Sequence, residues 1–260
     1  MLRAVVEDLS EFCEPTVVIE DRFDIPLACR QRISYDPSGQ LWAQWVKAAK
    51  DCDAALIIAP ESDGILAKGV AALRSSGIDV IAGSGDFLRV ASDKLLTAQV
   101  LHVAGVAHPP YIAVGDERMV GVVAGYEKFV VKPRDGCGTD SVETFDDFRE
   151  ARKALCDKSI MQAWMPGRSI SISLLSSGSY QTLLPAVSQA ISDGKFRYAG
   201  GCGPLADRAQ RRASALAARA IAAMPPTARG FVGLDLVLGD DPSDDCVIEV
   251  NPRLTTSYVG

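Results

Sequence analysis

The feature that most constrains the fold is the alternation, in the N-terminal part of the chain, of short apolar runs with longer amphipathic stretches. The short runs are rich in Val, Ile and Ala, have the length of strands, and occupy 15–21, 54–60 and 78–84. The longer stretches have helical periodicity and occupy 41–52 and 64–76. Strands that alternate with helices are typical of a parallel sheet flanked by helices. The sequence therefore predicts a small α/β domain at the N-terminus.

The pattern changes after this domain. A helical segment covers 92–105, and Asp93 is placed to favour its N-terminus. A strand that ends in Lys132 and a proline comes later, followed by a glycine-rich turn. An amphipathic helix over 144–157 and a strand over 159–167 complete this part of the chain. The order predicts a linker helix and then a compact α+β unit.

The C-terminal part is predicted to contain a helix with an apolar stripe over 207–224, and two strands over 231–239 and 246–252. In the first strand, the alternation of side chains places Asp235 on the face opposite the leucines. In the second strand, the residues predicted to share one face are Val247, Glu249 and Asn251. A hairpin of these strands would bring three oxygen donors together, which is the chemistry that Mg²⁺ prefers. The alternative is that the two acids lie on a solvated face.

A second candidate site is Lys132 with the turn from 135 to Thr139, which contains Gly136 and Gly138. A lysine that precedes a flexible loop of exposed N–H groups suits a polyphosphate. The G-x-x-x-x-G-K-[ST] order of a Walker A loop is absent. The alternative is an ordinary turn after a strand. Lys94 is a weaker candidate, because lysines on helices are usually solvated.

Two further segments carry polar or main-chain groups that could bind ligands. The strand over 159–167 offers main-chain groups among Met161, Trp164 and Met165, which would suit an adenine ring in an apolar slot. Such a strand can equally be ordinary core. Arg253 follows the C-terminal strand, and a guanidinium matches carboxylate and phosphate oxygens in a bidentate way. The hydroxyl residues that come next are Thr255, Thr256 and Ser257.

Charge and composition exclude several classes of protein. The chain has 27 Lys and Arg against 33 Asp and Glu, so its net charge of -6 gives no general attraction to nucleic acids or anionic membranes. No apolar run is long enough to span a membrane, and the first residues carry acids where a signal peptide would be basic. We therefore expect a cytoplasmic protein. The seven cysteines form no C-x-x-C pair, so neither a disulfide framework nor a zinc site is expected.

The order of these segments resembles the ATP-grasp superfamily of carboxylate-amine ligases. It runs from Lys94 through V-V-K-P with the glycine-rich loop, Q-A-W-M-P-G and G-L-D-L-V to I-E-V-N-P-R. The resemblance implies an ATP-grasp fold, of the α/β (α+β) class, in which two subdomains clamp ATP. The units that it implies are an N-terminal α/β domain over 1–92, a linker helix and strand over 93–114, a central subdomain over 115–166 and a C-terminal subdomain with the metal ligands over 167–260.

The resemblance also implies roles for individual residues. It assigns Lys94, Lys132, Gly136 and Gly138 to phosphates, Gln162 with the main chain of Ala163, Trp164 and Met165 to adenine, Asp235, Glu249 and Asn251 to Mg²⁺ or alternatively Mn²⁺, and Arg253 with Lys132 to catalysis. Arg253 would face the acyl phosphate or the substrate carboxylate. Many members of the superfamily have a ribose-binding acid where this chain has Arg168 and Ser169, so ribose contact stays unassigned.

Three segments, 59–66, 92–97 and the ending N-P-R-L-T-T-S, resemble the tyramine-glutamate ligase group of that superfamily. In that group glutamate is joined to an aromatic amine on the way to methanofuran-like cofactors. The expected function is an ATP-dependent ligase that makes an amide through an acyl phosphate, from a small carboxylate such as glutamate and an aromatic amine or amino acid. A homodimer is one assembly that stays open. The chain ends soon after Arg253, as either a shortened or a minimal member of the superfamily would.

Alternatives from other classes stay open at this point. One is an ATP-grasp ligase that acts on another amino acid, a peptide terminus or a carboxylated nucleotide precursor. Another is a nucleotide-binding regulator that has lost catalysis. A Rossmann-type module built on Gly83 and Gly85 lacks the third glycine of its fingerprint. The only histidines are His102 and His108, and neither stands beside a convincing nucleophile, so a hydrolase triad is not expected.

Overall fold

The computed structural model describes residues 1–138, 141–192 and 197–259, so Thr139 and Gly260 lie outside the described residues. The helices are α1 (Leu2–Ser10), α2 (Leu41–Ala49), α3 (Ile65–Ser75), α4 (Gly85–Ala91), α5 (Lys94–Val103), α6 (Val120–Val123), α7 (Phe148–Ala154) and α8 (Asp207–Ala223). The strands are β1 (Thr16–Ile19), β2 (Gln31–Ser34), β3 (Tyr111–Ile112), β4 (Phe129–Pro133), β5 (Glu143–Phe145), β6 (Ser159–Ala163), β7 (Arg168–Ser176), β8 (Gln181–Leu183), β9 (Val187–Ser192), β10 (Arg197–Cys202), β11 (Gly230–Leu238) and β12 (Cys246–Asn251). Short 3-10 helices cover Ser62–Gly64, Pro242–Asp244 and Thr256–Val259.

The N-terminal unit contains less regular sheet than the sequence predicts. Strand β1 is paired in parallel with β2, which the sequence did not indicate. The apolar runs 54–60 and 78–84 meet at one isolated parallel bridge, between Ala55 and Val80, and neither run forms a strand. The prediction of strands at these two positions is therefore wrong. Their side chains are nevertheless buried against α3, so the apolar pattern correctly indicated core.

The side chain of Arg74 explains why the second run is irregular. Its Nη2 donates to the carbonyls of Val80 at 3.1 Å and Ala82 at 2.7 Å, and its Nη1 donates to the carbonyl of Gly83 at 3.2 Å. A strand would offer these carbonyls to a neighbouring strand. Because the guanidinium binds them instead, the backbone groups are satisfied without a ladder.

The central sheet is antiparallel, with strand order β3-β6-β4-β5. One face packs under α6 and α7, and its core residues are Ile112, Val123, Phe129, Val131, Ala151 and Met161. The other face carries Lys132 opposite Ile160, and Gln162 opposite Val130. Leu95 of α5 packs near Ile160 on this second face. The sheet therefore buries one face as core and turns Lys132 and Gln162 to the other side.

The helix predicted over 144–157 is shorter than expected. It covers Phe148–Ala154, because residues Glu143–Phe145 form β5 and pair with β4. Asp147 begins the helix, since its carboxylate accepts hydrogen bonds from the N–H groups of the second and third residues that follow it. The strand and the cap together remove the first residues of the predicted helix.

The C-terminal sheet is antiparallel, with order β10-β9-β7-β11-β12 and β8 paired to β7. Helix α8 covers its apolar face, and the stripe predicted on that helix is confirmed by the burial of Ala213, Leu216, Ala217 and Ala220. The sheet residues that meet it include Ile170, Ile172, Val232, Leu234 and Leu236. The opposite face, the polar face of this sheet, carries Ser171, Ser173 and Asp235 as well as Phe231. No helix in the described part of the chain is both long and apolar enough to cross a membrane.

Strand β12 contains an irregularity that the sequence did not indicate. Asp235 pairs with Glu249, but the next residue, Leu236, pairs with Val247, so Ile248 is an extra residue in the ladder. The bulge turns Val247 into the core under α8, while Glu249 stays on the polar face. The prediction that Val247 shares a face with Glu249 is therefore wrong.

Candidate functional site

The polar face of the C-terminal sheet brings together the three oxygen-bearing side chains that the sequence singled out. Asp235 lies directly opposite Glu249 across the β11–β12 pair, and Asn251 is two residues further along β12. The Nδ2 of Asn251 donates to Asp235 Oδ2 at 3.1 Å and to Glu249 Oε1 at 3.4 Å. The hairpin of these strands thus concentrates two carboxylates and one amide at a single point.

Two lysines, one from α5 and one from the central sheet, approach this point. The Nζ of Lys94 lies 3.7 Å from Glu249 Oε2, and the Nζ of Lys132 lies 3.9 Å from the same oxygen. Lys132 comes from the end of β4, and its side chain is 8% exposed. Lys94 begins α5, where the carboxylate of Asp93 caps the helix and the Lys94 N–H donates to the Arg134 carbonyl at 2.7 Å. Lys132 of the central sheet and Lys94 of α5 therefore both approach Glu249 of the C-terminal sheet.

The charges of this cluster perturb one another. Burial acts to raise the pKa of Glu249, but Lys94 and Lys132 outweigh it and hold that pKa below its usual value. Burial, followed by the charge of Glu249, raises the pKa of the neighbouring Asp235 carboxyl. Burial lowers the pKa of the Lys132 ammonium, and Glu249 opposes that effect. Two adjacent carboxylates repel each other, and the positive charges of Lys94 and Lys132 stabilise the ionised form of Glu249.

The donor set fits a hard divalent cation. Carboxylate and amide oxygens are the ligands that Mg²⁺ and Mn²⁺ prefer, and water or phosphate oxygens complete their coordination. The amide of Asn251 points at both carboxylates, and a half-turn would present its oxygen to the same place. In the described ranges no group of three His, Cys, Asp or Glu could hold a metal, so this mixed set is smaller than a complete protein cage. The set suits an ion whose remaining ligands are phosphate oxygens and water.

The glycine-rich loop after β4 lies close to Lys94, whose Nζ donates to the Gly136 carbonyl at 3.0 Å. Gly136 and Gly138 have φ angles of 91° and 85°, which residues other than glycine rarely adopt. The carboxylate of Asp135 accepts a hydrogen bond of 3.0 Å from the N–H of Asp63 in the N-terminal unit. A Cβ on Gly136 would stand 2.7 Å from Ser62 Oγ. The loop is therefore packed between Lys94 and the N-terminal unit.

The residues assigned to adenine lie at the end of β6. Gln162 is buried and shares the sheet face of Lys132. The N–H of Ala163 donates to the Pro110 carbonyl at 2.9 Å, and the N–H of Trp164 donates to the Lys128 carbonyl at 2.8 Å. These two N–H groups are thus already used within the protein.

The sequence suggested that Met161, Trp164 and Met165 surround one apolar slot. They do not all do so. Met161 is buried on the opposite face of the sheet, in the core beneath α7. The Trp164 ring lies beside the Nζ of Lys128, which is 4.7 Å from the ring centroid. The reason is the strand period of two, which turns Met161 away from the face that carries Gln162.

Arg253 is positioned by an ion pair with the N-terminal unit. Its Nε donates to Glu61 Oε2 at 2.8 Å, and its Nη1 donates to the Leu254 carbonyl at 2.9 Å. The two side chains are 14% and 3% exposed, respectively. The pair links residues 192 positions apart, so it fixes the loop after β12 against the N-terminal unit.

Sequence reasoning missed two groups beside Asp235, which are Gln189 and Ser171. The Nε2 of Gln189, on β9, donates to Asp235 Oδ1 at 3.0 Å. Ser171 pairs directly with Asp235 from β7, and its hydroxyl is buried without a hydrogen-bond partner among the described residues. The hydroxyl of Thr255 is likewise buried and unpaired within the part of the chain that the structure describes. The alternating run I-S-I-S contained a signal for Ser171, whereas nothing local indicated Gln189.

Replacement of Gln189 by alanine is expected to weaken the binding of Mn²⁺ in the presence of ATP by roughly 10- to 100-fold, because Asp235 loses the donor that orients it. Mn²⁺ binding is measured by electron paramagnetic resonance. Gln181→Ala, at an exposed position of β8, is the matched control and should bind like the wild type. Equal affinity of the Gln189 variant and the control would show that the hydrogen bond to Asp235 has no part in cation binding.

Comparison with known proteins decides the family. A model described as "ATP-grasp domain" matches residues 91–257, and a model described as "pre ATP-grasp 3 domain" matches residues 13–86. The chain belongs to the ATP-grasp family. The expected ATP-grasp fold is thereby confirmed, and members of this family use ATP with a divalent metal ion. The boundaries predicted between its units, and the roles of the site residues, stay predictions.

Two curated relatives match most of the chain. The tyramine–L-glutamate ligase of Methanocaldococcus fervens is 27% identical over 208 residues, which cover 80% of this chain and 61% of the relative. That of Methanocaldococcus jannaschii is 24% identical over 212 residues, which cover 82% of this chain and 59% of the relative. The expected similarity to the tyramine-glutamate ligase group is confirmed, and the chain spans about three fifths of the length of these relatives.

Solved structures agree with the ATP-grasp fold. An ATP-grasp superfamily protein from Archaeoglobus fulgidus superposes with a TM-score of 0.70 at 25% identity, covering 99% of this chain and 77% of that one. An L-amino acid ligase from Bacillus licheniformis has a TM-score of 0.70 at 18% identity, covering 99% of this chain and 65% of that one. At that identity the second match supports the fold alone.

Proposed function

We propose that the chain is an ATP-dependent, ADP-forming ligase that joins a carboxylate to an amine through an acyl phosphate. The observation that supports this proposal best is the approach of Lys94, from α5, and Lys132, from the central sheet, to Glu249 of the C-terminal sheet, at 3.7 and 3.9 Å. Cations on one side and oxygen ligands on the other are what a metal-bound triphosphate needs. Asp235 and Asn251 complete the oxygen side.

The proposed chemistry follows from the poor reactivity of a carboxylate toward an amine. The amine could displace only an oxide ion, which is a very poor leaving group. Phosphorylation by ATP replaces that leaving group with phosphate. Mg²⁺, held by Asp235, Glu249 and Asn251, would supply neutralisation of phosphate charge. The ammonium groups of Lys94 and Lys132 would bind phosphate oxygens and keep them in place. The guanidinium of Arg253 would stabilise the oxyanion that forms when the amine attacks.

For the substrates we propose L-glutamate and an aromatic amine such as tyramine, or the corresponding amino acid, within the biosynthesis of a cofactor. Support comes from the relatives named tyramine–L-glutamate ligase. A cytoplasmic location and a homodimer stay predictions. Another amino-acid or peptide ligase is the second candidate. A nucleotide-binding regulator without catalysis is disfavoured by the presence of all three oxygen ligands together with both lysines.

The test is a coupled assay of ADP release with ATP, MgCl₂, L-glutamate and tyramine, combined with mass spectrometry of the product. The proposal expects one ADP for each amide, and no amide when either organic substrate is omitted. Amide formation with another acid or amine from a panel of amino acids would support the second candidate. Tight ATP binding without ADP release on any member of the panel would contradict a ligase and favour the regulator.

A further inference from the structure

Glu61 carries a buried charge that the proposed function does not use. It lies in the loop before α3, and the residue is 4% exposed. Its Oε2 accepts the hydrogen bond from Arg253, whereas its Oε1 is shielded from solvent and has no hydrogen-bond partner among the described residues. Among the buried unpaired side-chain atoms of the described ranges, Oε1 is the only carboxylate oxygen. A buried carboxylate oxygen without a donor is costly, so it calls for a ligand that donates.

The arrangement of Arg253 places that oxygen beside the reacting group. The Nε of Arg253 donates to Glu61, and its Nη1 donates to the Leu254 carbonyl. A guanidinium has five N–H groups, so others can donate to a substrate. Under the proposed function, those groups face the substrate carboxylate or its acyl phosphate. Because the two oxygens of Glu61 share one carbon, a donor bound to Oε1 lies next to whatever Arg253 holds.

We propose that Glu61 binds the amine substrate: Oε1 accepts a hydrogen bond from its ammonium group while Oε2 orients Arg253. This inference rests on the proposed function and assigns the second substrate to a residue of the N-terminal unit. The ligand class is a primary amine, protonated on arrival, which makes a charge-assisted hydrogen bond to a carboxylate. The pairing of one acid with one arginine would hold the nitrogen and the acyl carbon side by side, which is the geometry that accelerates their reaction. The ammonium must first release one proton to solvent, which frees the lone pair that attacks the acyl carbon as phosphate leaves.

The loop of Glu61 contacts the glycine-rich loop through the hydrogen bond from the Asp63 N–H to Asp135 and through the packing of Ser62 on Gly136. Amine binding is thereby connected to the loop that lies beside Lys94.

The test uses Glu61→Gln, which keeps the shape of the side chain and an oxygen for Arg253 but removes the charge. ADP release is measured with tyramine and L-glutamate varied separately. Hydroxylamine then replaces tyramine, as a small nucleophile that traps the acyl phosphate as a hydroxamate. We expect the KM for tyramine to rise roughly 10- to 100-fold. The KM for L-glutamate and the rate of hydroxamate formation should change much less than the KM for tyramine, because the amide oxygen of the new Gln can still accept the hydrogen bond from Arg253.

Two further variants control this result. Glu143→Gln, at an exposed position of β5, should leave every parameter unchanged. Glu61→Asp keeps the charge on a shorter side chain and should recover part of the affinity for tyramine. An unchanged KM for tyramine in Glu61→Gln would overturn the inference. So would a parallel loss of amide and hydroxamate formation, which would restrict Glu61 to positioning Arg253 or to the fold. A wild type that forms neither product would instead overturn the proposed function.

Discussion

Replacement of Glu249 by alanine is expected to reduce ADP release by roughly 10³-fold or more while the chain stays folded. Glu249 is the one residue of the cluster that contacts both lysines and Asn251. Its loss would remove an oxygen ligand from the proposed cation and the shared counter-charge of the lysines. The measurement is the rate of ADP release at saturating ATP and MgCl₂, with circular dichroism to verify the fold.

The matched control for this variant is Glu150→Ala. Glu150 lies on α7 with its side chain 59% exposed, and it pairs with the equally superficial Lys153. An exposed ion pair of this kind contributes little to stability, so the control should retain wild-type turnover. Turnover of the Glu249 variant close to that of the control would contradict the assignment of Glu249 to the metal.

The second large effect is expected for Lys132→Ala. This ammonium is nearly buried, and the removal of one preorganised charge from a phosphate site lowers turnover by roughly 10²- to 10³-fold. The change also takes from Glu249 one of the two lysines that hold its pKa below its usual value, so that pKa should rise. We expect ATP binding, measured by calorimetric titration, to weaken together with ADP release.

Lys153→Ala is the control for Lys132, because its side chain is 72% exposed on α7 and lies outside the site. It removes the same charge and should leave ATP affinity unchanged. If Lys132→Ala bound ATP and released ADP at the rate of Lys153→Ala, Lys132 would have no part in phosphate binding. Loss of the circular dichroism signal in Lys132→Ala alone would assign the lysine to the fold instead.

Local patterns were sufficient for the elements that position the site. The cap of α5 at Asp93 depends on neighbouring residues, and so does the hairpin of β11 and β12 that brings Asp235 opposite Glu249. A period of two, an acidic turn and a capping residue are readable without knowledge of the fold. The convergence of the three oxygen donors could therefore be expected from the sequence.

Contacts between distant residues could not be predicted in this way. Gln189 reaches Asp235 across 46 positions, and Glu61 reaches Arg253 across 192. The bulge at Ile248, which separates Val247 from Glu249, depends on how β12 packs against α8. The capture of three carbonyls by Arg74 similarly depends on tertiary packing. Periodicity in the sequence predicts whether a side chain faces the core or the solvent. It does not predict which distant residue that side chain contacts in the folded chain.

The most direct test of the account is the position of a metal ion in crystals grown with a non-hydrolysable ATP analogue and Mn²⁺. Anomalous scattering locates Mn²⁺ without assumptions about its ligands. The account expects a peak at about 2.0–2.5 Å from oxygens of Asp235, Glu249 and Asn251. It also expects the triphosphate to lie between this peak and the ammonium groups of Lys94 and Lys132. A nucleotide bound elsewhere, or a peak remote from these three side chains, would contradict it.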